Sequence, residues 1–510
     1  MLLTVHCLQM IINKAQLKEN YDIVIIGAGI AGLALSQLLK LEEKNILLVE
    51  SGDFKFNKEI NQHSYAKVKS LGNWPTENYA SHHSRVRMFG GNANVWGGWC
   101  MELDDYDYSQ NSIWNMLKAD LKNHYKKAYE LLNIIPQNID SNKLSMKSIK
   151  PYPINIARGN YIKNSREYLE KSENIDVLIK TTLIKMNLDE NKISSIILEN
   201  VVGDTNEIKL KKLIIAAGGI ETTRVLMKYL PDENLNPNLG KYFMEHLQIQ
   251  VGRVSIKNPL INKFIKTYSP PTVKHLFDDK LEEMESKYFS GFQSTNQDVR
   301  NYFVLRSSNV YQSRSLYRLR HIILTRNLTS TGSIKIKDLI SLVIDVLDMF
   351  VKKLKSIFSK NKSYAVVLHL EQKPNKRNQI YIDSDNTTIL DWNITNEDYV
   401  NLKNSIKDLN IIFNEMNSNF ELNDIFYSDE KTLNNYLEKN IFGIGHHMGT
   451  TKMGLNENDS VCDISQNYHG IDNLIINSTS VFPTGGIANP TLTMLALTSR
   501  LAERLNNESR

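Results

Sequence analysis

The stretch Tyr21 to Glu50, YDIVIIGAGIAGLALSQLLKLEEKNILLVE, leaves this chain the fewest ways to fold. Ile23 to Ile26 is a continuous apolar run, too unbroken for a half-exposed strand and of a length that suits a buried parallel one. Gly27, Gly29 and Gly32 follow in G-x-G-x-x-G spacing, helical sequence continues to Lys40, and a second apolar run spans Ile46 to Val49. Each glycine has a mechanical reason. Gly27 permits a tight turn, Gly29 lets a pyrophosphate approach the backbone, and Gly32 lets helix and strand pack closely. Phosphates then meet the helix N-terminus, and Glu50 ends the second strand where a carboxylate can accept from both ribose hydroxyls. The spacing predicts a dinucleotide-binding βαβ unit; alone, it fits NAD, FAD or a βαβ turn without a ligand.

At 510 residues the chain exceeds one hydrophobic core, so two domains or one elaborated domain is expected. A net charge of +5, without a long basic block, points away from nucleic acid. Cys7, Cys100 and Cys462 are too few and too scattered for a disulfide framework or a zinc site, which fits a reducing, cytoplasmic setting. Met1 to Ile12 is mildly apolar but lacks the cationic start and small-residue cleavage site of a signal peptide, and Met10 is an alternative start. No apolar run reaches the roughly 18 residues of a spanning helix.

Further glycine-rich pieces recur along the chain. Arg85 to Cys100, RVRMFGGNANVWGGWC, places two glycine pairs around Trp96, as expected of backbone folded against a flat ligand or of a surface loop. Residues 103 to 170 read as mostly helical, clearest over Trp114 to Ile134, without a catalytic cluster. Val177 to Met186 and Ile193 to Leu198 read as strands. Lys212 to Leu226, KLIIAAGGIETTRVL, repeats the strand, glycine turn and helix of the opening, so the dinucleotide domain is assembled from separated pieces. From 251 to 440 the pattern becomes that of a second, mixed domain. Within it, Leu339 to Phe358 reads as a helix with a narrow polar face and a basic end, which packs on the protein or rests on a membrane surface. The last seventy or so residues hold GIGHHMGTTKMG, from Gly443 to Gly454, and VFPTGGIANPTLTMLALTS, from Val481 to Ser499. No metal is expected at His446 and His447, because neighbours in extended chain point to opposite faces.

Six segments lie in the order found in the glucose-methanol-choline (GMC) oxidoreductases, and the chain resembles that family over nearly its whole length. They are Gly27 to Gly32, Arg85 to Gly91, Ile215 to Gly219, Asn238 to His246 (NLGKYFMEH), His446 with Gly449-Thr450, and Asn473 to Pro490. The Gly90 to Trp96 spacing and the run from Asn489 to Thr493 resemble the sugar-oxidising branch that holds pyranose oxidase and the large subunits of fructose and gluconate dehydrogenases. The resemblance implies an α/β fold: a Rossmann-like FAD-binding domain with an interleaved α+β substrate-binding domain on a mostly antiparallel sheet. Its FAD-binding domain would comprise 17–105, 170–250 and 441–510, and its substrate-binding domain 106–169 and 251–440.

Carried onto matching positions, the resemblance places FAD against Gly27, Gly29, Ile30, Ala31, Gly32, Glu50, Ser51, Arg87, Gly90, Gly91, Asn94, Trp96, Leu183, Ala217, Gly218, Ser478, Pro490 and Thr491. Val95 stands where a flavin-linking histidine precedes the tryptophan in pyranose oxidase, so the flavin is expected to be non-covalent. Ser478 replaces the aspartate of many members and leaves that contact to a backbone amide. His446 is the expected base, since a hydride leaves an alcohol carbon as the oxygen loses its proton, and Asn489 the group that orients the substrate oxygen. The expected substrate is a sugar, polyol or glycoside, with oxygen, a quinone or a partner protein as acceptor. Alternatives are a steroid or aliphatic alcohol oxidoreductase at a membrane and a flavoprotein subunit or binding module of a complex.

Overall fold

The computed structural model describes residues 17–63, 67–69, 85–137, 139, 146–157, 160–267, 288–296, 299–306, 340, 343, 344, 347 and 362–508. Asn20–Ile26 is the opening strand, Ile30–Leu38 the helix after it, and Ile46–Val49 the second strand. Their apolar runs are buried because the sheet is covered on both faces: Val24, Ile25, Leu47 and Leu48 have no exposed surface.

This first sheet has seven strands, in the order Ile175–Leu178, Ile46–Val49, Asn20–Ile26, Thr205–Ile215, Lys192–Asn200 and Thr181–Asp189, with Leu474–Ile476 also on Thr205–Ile215. Asn20–Ile26 pairs in parallel with Ile46–Val49 and with the far half of Thr205–Ile215, whose near half pairs antiparallel with Lys192–Asn200. One long strand thus joins a parallel nucleotide-binding core to an antiparallel layer. Leu474–Ile476 completes the core in parallel, which brings the C-terminal segment to the opening motif although more than four hundred residues separate them.

The second sheet has eight strands, all paired antiparallel, in the order Ser418–Leu422, Leu247–Ile256, Lys362–Leu370, Asn301–Arg306, Tyr288–Ser294, Ile149–Ile156 and Trp99–Cys100, with Phe442–Gly443 beside Leu247–Ile256. Period-two alternation sorts its central strands. Ile249, Phe303 and Leu368 pack with Leu409, Ile412 and Phe413 of helix Asn396–Glu415, whose capping box is Thr395 with Asp398. Gln248, His369 and Tyr302 occupy the other face and are in register across three adjacent strands, Gln248 opposite His369 and His369 opposite Tyr302. Gln248 and His369 of that row line a cavity, with Tyr302 buried behind them.

Two expectations from the sequence need correction. Residues 103 to 170 contain helices Asp105–Gln110, Ser112–Leu131 and Tyr161–Lys171, but also strand Ile149–Ile156. Its Pro151 and Pro153 obscure it in sequence. They are tolerated because the neighbour Trp99–Cys100 pairs only with Asn155 and Ile156, leaving the proline side of the strand at an edge. Val177 to Met186 is also not one strand, since it breaks at Lys180, whose φ is +55°. Of Leu339 to Phe358, only Ile340, Val343, Ile344 and Leu347 are described, as helical and exposed; the rest lies outside the described residues. No described helix is long and apolar enough to cross a membrane.

Candidate active site

At the opening turn the glycines behave differently from one another. Gly27 has φ +107°, and a side chain there would meet the Ala216 carbonyl oxygen at 2.6 Å. At Gly32 a Cβ would stand 1.9 Å from the Gly27 carbonyl oxygen, so this glycine lets the helix sit on its own turn. Gly29 is the N-cap of Ile30–Leu38, carries no capping side chain, and has open space where a Cβ would be. The first-turn amides at Ile30 and Ala31 therefore face a cavity unscreened, with no acidic residue in that turn. Glu50 accepts from Ala28 N–H through Oε2 at 2.9 Å and from Gly52 N–H through Oε1 at 2.7 Å. Burial raises its pKa against those two donors, and each oxygen keeps a further lone pair for a ligand hydroxyl.

The Arg85 to Cys100 segment is latched to this turn: Gly90 N–H donates to the Ala28 carbonyl at 2.8 Å, and a Cβ on Gly91 would lie 3.0 Å from Gly29 Cα. Asn94 Nδ2 donates to the Phe89 and Gly91 carbonyls at 3.0 and 2.8 Å and holds the loop closed. Next to it, Glu221 accepts from Arg85, Arg87 and Arg224. Burial would raise Glu221, but Arg224, Arg85 and Arg87 hold it at about 2. Three guanidiniums against one carboxylate leave a positive wall that suits a diphosphate.

The C-terminal residues complete the cavity. Glu245 accepts from the backbone N–H groups of His446, His246 and Gly445 at 2.7, 2.8 and 2.9 Å, which fixes the path of the histidine loop. Burial pushes Glu245 up to about 7 against these donors. His446 lines the cavity, and burial, followed by its neighbours His246, His369 and His447, holds its pKa well below the ordinary histidine range. It is a neutral imidazole at physiological pH. The adjacent ring of His447 packs 5.9 Å from Phe243.

Asn489 is oriented by the polar row of the second sheet. Tyr302 Oη donates to Asn489 Oδ1 at 3.3 Å and lies 3.1 Å from His369 Nδ1, while Gln248 Nε2 lies 3.1 Å from His369 Nε2. A tyrosine has one proton, so with it on Asn489, His369 Nδ1 must donate to the phenol oxygen and His369 Nε2 must accept from Gln248. The chain runs one way, from Gln248 to Asn489. It leaves the Asn489 amide nitrogen as a donor with no partner among the described residues. Beside the row, Trp99 packs edge-on against Phe289 at 4.7 Å, with the Arg306 guanidinium 5.3 Å from the indole centre.

One continuous cavity brings together Gly27, Gly29, Ile30, Ala31, Glu50, Ser51, Arg87, Gly91, Trp96, Leu183, Ala217, Gly218, His446, Ser478, Asn489, Pro490 and Thr491. Gly32, Gly90 and Asn94 stand behind its wall: Gly32 faces Gly27, Gly90 faces Ile162, and Asn94 is occupied in closing its own loop. Ser478 lines the cavity, but its hydroxyl accepts from Ser480 N–H. Sequence reasoning missed Trp99, Gln248, Tyr302, His369, Glu221 and Arg224. A signal existed for His369, the one polar residue in the otherwise apolar run Ala365 to Leu370; Gln248 shares its strand with Gln250 and Arg253 and does not stand out. Among the described residues, no three His, Cys, Asp or Glu side chains are grouped to hold a metal ion. Open space at Gly29, uncapped first-turn amides, a carboxylate at Glu50 and a cationic wall fit an extended dinucleotide such as FAD.

Residues 374–498 match the family model described as GMC oxidoreductase, and residues 21–251 that described as pyridine nucleotide-disulphide oxidoreductase. A segment of 85 residues is 32% identical to 5-(hydroxymethyl)furfural oxidase of Methylovorus sp. (strain MP688), covering 16% of each chain. Two solved structures share the fold at 15% identity and a TM-score of 0.57 over 96% of this chain: pyridoxine 4-oxidase from Mesorbium loti, matched over 99% of its length, and a fungal aryl-alcohol oxidase, matched over 100%.

Proposed function

We propose that this chain, which belongs to the GMC oxidoreductases and binds FAD, oxidises the CH–OH group of a sugar, polyol or glycoside with His446 as base. The observation that supports this most is that His446 and Asn489 share one cavity with the Gly27 to Gly32 turn. FAD, held non-covalently because Val95 precedes Trp96, supplies the hydride acceptor. Gly27, Gly29, Ile30, Ala31 and Glu50 would hold its nucleotide end, and Gly91, Trp96, Ser478, Pro490 and Thr491 its flavin end. In this reading 17–105, 170–250 and 441–510 form the cofactor unit, and 106–169 and 251–440 the substrate unit.

The protein supplies two polar groups to the substrate oxygen. His446 accepts its proton, and the Asn489 amide donates a hydrogen bond to it, which orients the C–H bond and stabilises negative charge as the O–H breaks. Gln248 and His369 beside an indole face at Trp99 suit a polyhydroxylated ring, whose C–H face stacks on the aromatic and whose hydroxyls meet the polar row. The aromatic rings of Trp99 and His369 in the cavity wall favour a second reading, a primary alcohol on an aromatic or furan ring. That class is named for the furfural and aryl-alcohol relatives. The reduced enzyme would pass its electrons to oxygen, a quinone or a partner protein.

Purified protein is expected to be yellow and to bleach anaerobically with one set of alcohols. D-glucose, sorbitol and methyl glucoside test the first reading, benzyl alcohol and 5-(hydroxymethyl)furfural the second. Failure to retain flavin after FAD addition would overturn the assignment.

A further inference from the structure

We propose that His246 is a positioning residue that fixes the tautomer of His446, so that the nitrogen left to face substrate is the unprotonated one. The inference rests on the reading of His446 as base and adds how this chain keeps it one. His246 is 2% exposed. Its Nε2 lies 2.8 Å from the Gly486 carbonyl oxygen, and its Nδ1 lies 2.8 Å from His446 Nδ1.

The proton positions follow from what each atom can do. A carbonyl oxygen only accepts, so His246 Nε2 carries a hydrogen and donates to Gly486. A neutral imidazole has one N–H, so His246 Nδ1 is a lone pair. The nitrogen opposite it, His446 Nδ1, must then be the donor, and His446 Nε2 is left bare. The rings stand edge to face at 87°, with centroids 5.0 Å apart. His446 Nε2 makes no hydrogen bond to a described residue, and the ring lines the cavity. A proton accepted there completes an imidazolium whose other N–H already has its acceptor, so no group must turn when charge appears.

For this to hold, His246 must be neutral and the Gly486 carbonyl must stay in place. Burial, with a further push from Arg300, lowers the His246 pKa to about 4. The nearest acids have other partners. Glu245 takes the backbone amides of the histidine loop, and Glu371 takes Gly486 N–H at 3.0 Å and Arg300 Nε at 2.9 Å. Gly486 itself has φ +60°, and a Cβ would meet the Asp107 carboxylate at 2.9 Å, so its peptide is pinned on both sides. Arg300, Glu371, Gly486, His246 and His446 form one buried line that ends in a lone pair.

The direct test is nitrogen-15 NMR of holoenzyme labelled at histidine, with the His446 signals identified by their loss in His446→Ala. The expected spectrum shows a pyridine-type Nε2 and a protonated Nδ1 for His446 at neutral pH; a protonated Nε2 in the wild type overturns the proposal. Anaerobic stopped-flow reduction is the kinetic arm, with the fastest reductant among D-glucose, sorbitol and benzyl alcohol. His246→Leu removes the acceptor and is expected to slow reduction by about 10²-fold at unchanged substrate affinity, within the range that a positioned base supplies. His246→Gln, which can donate to Gly486 and accept from His446, is expected to recover most of that loss. If His446→Ala is inactive while His246→Leu matches the wild type in rate and pH profile, this inference fails and the base assignment stands. If His446→Ala reduces normally, the base assignment itself fails.

Discussion

Replacing Gly29 and Gly32 separately by alanine should divide the opening motif into a cofactor function and a folding function. At Gly29 the backbone has φ −74° and ψ −175°, which alanine adopts freely, and nothing lies within 4 Å of the added Cβ. The apoprotein should be unharmed, or stabilised by about 0.4–1 kcal/mol through the unfolded chain. That methyl would occupy the space beside the first-turn amides. Losing one charge-assisted hydrogen bond to a diphosphate costs about 1.5–3 kcal/mol, or roughly a 10- to 150-fold weaker FAD dissociation constant. At Gly32 the added Cβ would stand 1.9 Å from a backbone oxygen and 3.1 Å from its carbon, so the helix must lift from the turn. Overpacking of this kind costs about 1–3 kcal/mol or more, and should lower apoprotein stability together with FAD content. Thermal melts with and without FAD, and flavin absorbance per protein, separate the two. A Gly29→Ala protein that binds FAD as tightly as the wild type, or a Gly32→Ala apoprotein that melts unchanged, would show that the two glycines do not divide the motif in this way.

Tyr302→Phe removes the link between His369 and Asn489 and leaves two buried polar atoms unpaired, about 1–3 kcal/mol each; we expect at least tenfold slower anaerobic reduction with the fold intact by circular dichroism. Glu245→Gln sets an amide donor against one or more of the backbone N–H groups now accepted, so stability should fall by about 1–3 kcal/mol in urea, with loss of activity as the His446 loop shifts. Glu221→Gln leaves three guanidiniums around a neutral side chain and is expected to destabilise by about 3–5 kcal/mol, measured by urea midpoints at neutral pH. The Glu221 pKa is about 2 in the folded protein against 4.5 for an ordinary glutamate, so its contribution is complete above 4.5 and drains as pH falls toward 2. Wild-type midpoints should therefore fall more steeply below pH 4.5 than those of Glu221→Gln.

Local features of the fold were legible in the sequence where one residue type does one mechanical job. Gly27, Gly29 and Gly32 announce the turn, and the apolar run Ile23 to Ile26 announces a strand covered on both faces. The strand Ile149–Ile156 was hidden because Pro151 and Pro153 argue against a strand unless its edge position is known, and edges are a property of the assembled sheet. The candidate site divides in the same way. His446 and Asn489 lie in glycine-rich turns with recognisable spacing, whereas Gln248, Tyr302 and His369 act as a unit only through the register of three strands from distant parts of the chain. His246 lay inside a quoted motif, but its role depends on a carbonyl 240 residues away.

An alcohol is expected to reduce bound FAD with His446 Nε2 taking the hydroxyl proton. Anaerobic mixing of the holoenzyme with a panel of sugars, polyols and aromatic alcohols, followed by flavin absorbance and repeated with His446→Ala, tests it most directly. Rapid bleaching is expected in the wild type with at least one alcohol, and a rate lower by about 10²–10⁴-fold in His446→Ala with its FAD retained. Equal bleaching rates in the two proteins would contradict it.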